Sequence, residues 1–162
     1  MDFDFDDDGK TCNNSNAQSV FTVDYTSTLN LVPSFATEKG TLFFSSSALN
    51  DASVLLKAGG NNGWSPSGQN PVGQFVGFQA NNLETFYACD VKPLTGSTLE
   101  TFVLEYSMDG QNYIQIGEYS LSASAINSIV TFYFKPVYAK FIRLVVKKGT
   151  PNIRVEFYYS ST

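Results

Sequence analysis

Residues 99–120, LETFVLEYSMDGQNYIQIGEYS, limit what this chain can fold into more than any other stretch. Phe102, Leu104 and Tyr106 alternate with Val103, Glu105 and Ser107, so three large side chains share one face of a strand. Asp109-Gly110 tolerates the positive φ of a two-residue hairpin turn, and Tyr113, Ile114 and Ile116 begin the return strand. A hairpin with this much apolar surface is not stable alone and requires a covering layer.

The remaining sequence supplies that layer as further short strands. Residues 20–25, 41–46, 74–78, 85–91, 130–134, 141–146 and 153–159 read as strands, with a polar turn at Asn81-Asn82. In the last of them Ile153, Val155, Phe157 and Tyr159 share a face, opposite Arg154, Glu156 and Tyr158. Residues 48–58 are the only stretch with helical character, and residues 59–68, GGNNGWSPSG, form a loop around the single tryptophan, Trp64. The pattern, eight or nine short strands with loops between, predicts an all-β fold, a β-sandwich or jelly-roll barrel, over residues 19–162. Residues 1–18 read as an acidic, flexible N-terminal tail.

Charge and missing residue types narrow the function. The net charge is −5, but Asp2, Asp4, Asp6, Asp7 and Asp8 account for five of the acids. Beyond Lys10 ten acidic residues face nine basic ones, so the body lacks the basic surface that nucleic acid requires. The chain has no histidine, which removes Ser-His and Cys-His nucleophile pairs and the two-histidine zinc motif. A hydrolase built on carboxylates alone would need two acids facing one another, and Asp90, Glu100 and Glu105 carry no motif around them. A non-catalytic module is therefore expected. Cys12 and Cys89 allow a single bridge or, since Cys89 lies in an apolar strand, a buried free thiol. Asp4-x-Asp6-x-Asp8-Gly9 begins like a calcium loop, although Ser15 stands where the closing glutamate belongs.

Four segments, in order, resemble the discoidin domain, also called the coagulation factor 5/8 type C domain. They are Gly63-Trp64-Ser65-Pro66 with Gln74-Phe75-Val76; residues 102–110, FVLEYSMDG; residues 134–144, FKPVYAKFIRL; and residues 153–158, IRVEFY. The resemblance implies an eight-stranded jelly-roll β-sandwich or barrel whose loops at one end hold ligands: sugars, anionic phospholipid surfaces or partner proteins. It places the ligand end at residues 47–53, 59–63 and 92–99, where Asn50, Asp51, Asn61, Asn62 and Lys92 offer polar contacts and Trp64 a ring for a sugar face. Relatives with a structural calcium carry an aspartate before the tryptophan segment. Here Gly59-Gly60-Asn61-Asn62 stands in that place, and Glu156 matches the other side of the site. Membrane docking would use Leu49, Leu94 and Leu99 as loop tips beside Lys92, without the aromatic spikes of phospholipid-binding relatives, so lipid is not an expected partner. Lys135, Lys140, Arg143, Lys147, Lys148 and Arg154 form a basic C-terminal cluster open to an anionic partner, and Arg143 and Arg154, opposite apolar neighbours, are expected on the solvated face.

Two functions follow. The first is a carbohydrate- or glycoprotein-binding, cell-adhesion module, extracellular if part of a larger surface protein. The second is a cytoplasmic protein–protein docking subunit, which the acidic start favours, as does Tyr158-Tyr159-Ser160 where extracellular relatives of the resembled family close a terminal disulfide with a cysteine.

Overall fold

The computed structural model describes residues 34–35, 40–46, 60–68 and 70–160. They form seven strands: β1 (Ser34–Phe35), β2 (Gly40–Phe44), β3 (Phe75–Pro93), β4 (Thr101–Ser107), β5 (Ile114–Ser120), β6 (Val130–Lys148) and β7 (Ile153–Ser160). Every strand pairing is antiparallel. Among the described residues the only helical element is one 3₁₀ turn, Ala123–Ala125. None of these residues forms a helix long and apolar enough to cross a membrane. The expected strand at 20–25, the helical stretch at 48–58, the acidic tail and Cys12 lie outside the described residues.

Two strands of 19 residues, β3 and β6, build the sandwich. Segments 74–78 and 85–91, expected to be separate strands, are largely the two halves of β3, and 130–134 and 141–146 lie within β6. The chain does not reverse at Asn81-Asn82. The pairing of β3 with β6 shifts register between Gln79 and Glu84 and then resumes, so the irregularity bends the strands without ending them. The first half of β3 pairs with β2 and the second half of β6, which also pairs with β4, and β4 with β5. The second half of β3 lies between β7 and the first half of β6, with β1 on the far edge of β7. One sheet thus folds over on itself, and its two halves form the two layers.

The predicted alternation fills the space between them. Phe102 and Leu104 are inaccessible to solvent, Tyr106 packs against them half-buried, and Ile153, Val155, Phe157 and Tyr159 are all fully buried. Ring pairs join the layers: Phe102 meets Phe132 edge-on with centroids 5.2 Å apart, and Phe78 lies 6.0 Å from Tyr159 and 6.3 Å from Phe86. Cys89 is buried among them as a free thiol, and burial pushes its pKa well up.

The hairpin differs from expectation at its tip. Residues 108–113 separate the two strands, so the turn is longer than two residues; Gly110 supplies the positive φ, at 79°. The Asp109 carboxylate organises the longer turn by accepting the backbone N–H of Gln111 and of Asn112, each at 2.8 Å. Ile114 is 58% exposed and so lies outside the core.

Candidate functional site

Four connections meet at one end of the sandwich: residues 60–68 before β3, 93–100 after it, 121–129 between β5 and β6, and 149–152 before β7. Their backbones bond to one another. Trp64 and Ile153 exchange N–H···O bonds of 2.7 and 3.1 Å; Leu94 N donates to Asn152 O at 2.8 Å, Thr98 N to Thr150 O at 2.8 Å, Asn127 N to Pro93 O at 2.6 Å and Leu121 N to Glu100 O at 2.8 Å. Gly149 allows the closest of these approaches. Its φ is 95°, and a Cβ there would overlap the Thr98 carbonyl. The rim is therefore a hydrogen-bonded frame rather than a set of independent loops.

Within the frame, between 93–100 and 121–126, lies a cleft of about 360 Å³ lined by Pro93, Ser97, Thr98, Leu99, Glu100, Leu121, Ser122, Ala123 and Ile126. Leu99, Leu121 and Pro93 are buried and provide apolar surface, while Ser122 and Thr98 are exposed at the rim. The Glu100 carboxylate is exposed and pairs with Lys148 at 3.3 Å, an interaction weak enough for a ligand to displace. The arrangement suits binding: apolar surface for C–H groups and a hydroxyl and carboxylate rim for hydroxyls. Residues 93–99 belong to the predicted ligand end, but 121–126 do not. Their signal is the small polar run Ser122-Ala123-Ser124 between two strands.

The predicted contacts divide into three groups. Asn61 and Asn62 are exposed at this end, on the strand-β7 side of the 93–99 segment. Asn50 and Asp51 lie outside the described residues, as do Leu49 and the acidic set Asp4, Asp6 and Asp8. Trp64 presents no face to a ligand: it is fully buried, and its indole N–H donates to the Ser46 carbonyl at 2.8 Å. Leu94 and Leu99 are buried, not loop tips. Lys92 is half-buried and pairs in register with Arg154.

Arg154 also overturns its expected solvation. It is buried to 1% accessibility on the face opposite the core, in one row with Asp90 and Glu156. Its Nη1 donates to the Asn62 carbonyl at 2.7 Å. Asp90 in the same row accepts hydrogen bonds from the Thr131 hydroxyl and, at 2.6 Å, from the Tyr158 hydroxyl. Burial and that bond to Asp90 raise the Tyr158 pKa far above the usual phenol range. On the Asn61–Asn62 side, where the resemblance would put a structural calcium, the guanidinium already supplies positive charge and takes a carbonyl oxygen.

A model of the F5/8 type C domain matches residues 36–157. No curated protein sequence matches the chain. Among solved structures, CpGH89CBM32-5 from Clostridium perfringens, in complex with GalNAc-β-1,3-galactose, superposes with a TM-score of 0.61 at 16% identity, covering 75% of this chain and 95% of that one. Recombinant discoidin II of Dictyostelium discoideum gives 0.59 at 19% identity, over 76% of this chain and 56% of that one. The C-terminal domain of a chitobiase from Bacteroides fragilis gives 0.55 at 20% identity, over 74% and 94%.

Proposed function

The chain belongs to the F5/8 type C domain family, and on that premise we propose that it is a non-catalytic module that binds carbohydrate in the cleft at the loop end of its sandwich. The observation that carries this reading is the cleft's composition. Leu99, Leu121 and Pro93 suit the C–H face of a sugar ring, and Ser97, Thr98, Glu100 and Ser122 suit its hydroxyls. Asn61, Asn62, Asn50 and Asp51 are proposed as contacts for longer glycans that extend along the rim. The complex of the clostridial module with GalNAc-β-1,3-galactose supports the ligand class without naming the sugar bound here.

A glycan array tests the proposal. The wild-type chain is expected to retain a defined set of glycans, and Glu100→Gln combined with Ser122→Ala to weaken that binding about tenfold, as expected for one or two lost hydrogen bonds. Silence across the array, together with stoichiometric co-purification of a protein partner, would replace this reading with the docking-subunit one.

A further inference from the structure

On the outside of the layer formed by β2, β3, β6, β4 and β5, lined by none of the residues of the loop-end cleft, is a second recess of about 160 Å³. At about 30 Å³ per water it has room for roughly five waters, or one six-membered ring. Phe43, Phe75, Tyr113 and Phe141 wall it, and Gln79 and Arg143 supply its polar groups. Four partly accessible aromatic rings around one spot on an outer sheet face are unusual, because that face ordinarily carries polar residues. The sequence builds the recess deliberately. Gly77, on β3 between Phe75 and Gln79, leaves the space in which the Phe43 ring lies; a Cβ there would overlap it. Phe43 then meets Phe75 and Phe141 edge-on at 5.9 and 6.2 Å.

The Arg143 side chain is held rather than free to swing. The Arg143 guanidinium lies 3.6 Å from the Tyr113 ring centroid and 4.7 Å from that of Phe75. Its Nε and Nη2 both reach Oε1 of Glu105, at 2.9 and 2.8 Å. Glu105 does not itself line the recess, and among the described residues the pairing leaves Nη1 of Arg143, like the exposed Gln79 amide, without a hydrogen-bond partner. A charge-compensated guanidinium with one spare donor, beside an amide that both gives and takes hydrogen bonds, favours neither an anion nor a cation. It matches a neutral ligand whose adjacent hydroxyls both give and take hydrogen bonds, and the aromatic walls match that ligand's C–H surface.

We propose that this recess is a second saccharide site, one that holds a single neutral sugar ring on the sheet face, independently of the loop-end cleft. It shares only the ligand class with the loop-end reading, and either site can be right without the other. Two-dimensional NMR of the labelled full chain, titrated with methyl β-galactoside, methyl β-glucoside and GalNAc-β-1,3-galactose, distinguishes them. The expected result is saturable shifts at Phe43, Phe75, Tyr113 and the Arg143 side chain with at least one of these sugars. Those shifts should weaken about tenfold in Gln79→Ala and persist in Glu100→Gln/Ser122→Ala. A Tyr113→Ala variant with an unchanged thermal transition provides the second reading, with the same loss expected. Unmoved resonances around the recess with all three sugars would overturn the proposal, as would shifts that vanish with the loop-end variant and survive Gln79→Ala.

Discussion

Trp64 shows how one residue can serve the site without touching a ligand. Its ring fills the core beneath the rim, and its N–H fixes the Ser46 carbonyl. Trp64→Ala should destabilise the fold by about 3–5 kcal/mol by leaving a cavity, whereas Trp64→Phe should cost about 1–2 kcal/mol, from lost volume and one lost hydrogen bond. Denaturant melts check both values, and sugar affinity of the folded Trp64→Phe protein should change little. Tyr158 gives a pH signature. Its pKa is raised on folding, so the stabilisation is complete below the unfolded phenol value near 10 and is lost as pH climbs above it. Thermal melts between pH 9 and 12 should therefore fall more steeply for wild type than for Tyr158→Phe.

Among the elements, the hairpin and the bent strands teach different lessons. The period-two pattern of residues 101–107 identified β4 and its buried face, because a strand half covered by a second layer leaves that alternation in its side chains. The turn was less legible, because Asp109 acts through its side chain as well as through local backbone tolerance. Four hydrogen bonds to that carboxylate, the largest contributions coming from the Asn112 and Gln111 amides, hold its pKa well below the usual range. The depressed value means that its stabilisation is present above about pH 4 and is lost as pH falls from there. Acid unfolding of Asp109→Asn should accordingly show a shallower dependence on pH between 4 and 2 than wild type. The continuity of β3 escaped the sequence reading because Asn81-Asn82 are turn formers by local propensity, and only pairing with β6 on both sides of them keeps the chain extended.

At the scale of the whole molecule, fold and family were legible because both rest on ordered apolar strands. The site was half legible. Residues 93–99 of the proposed cleft fall within the ligand end that the family pattern implies, but the cleft needs 121–126 to cross from the other layer, a juxtaposition that no local spacing encodes. Arg154 was misplaced for a related reason. Alternation puts it on the non-core face, but burial there depends on what packs over that face. Because its guanidinium takes the Asn62 carbonyl, Glu156→Gln should leave the effect of millimolar calcium on the melting temperature unchanged to within about 1 °C, whereas loss of a ligand to a bound structural ion would remove a shift of several degrees.

The most direct test of the central claim is a crystal structure of the chain with the glycan it retains best on the array. The account predicts a sugar ring seated between residues 93–100 and 121–126, its C–H face on Leu99 and Leu121 and its hydroxyls within 3.2 Å of Glu100, Thr98 or Ser122. A crystal in which that cleft holds only solvent while the glycan occupies another part of the rim would contradict it.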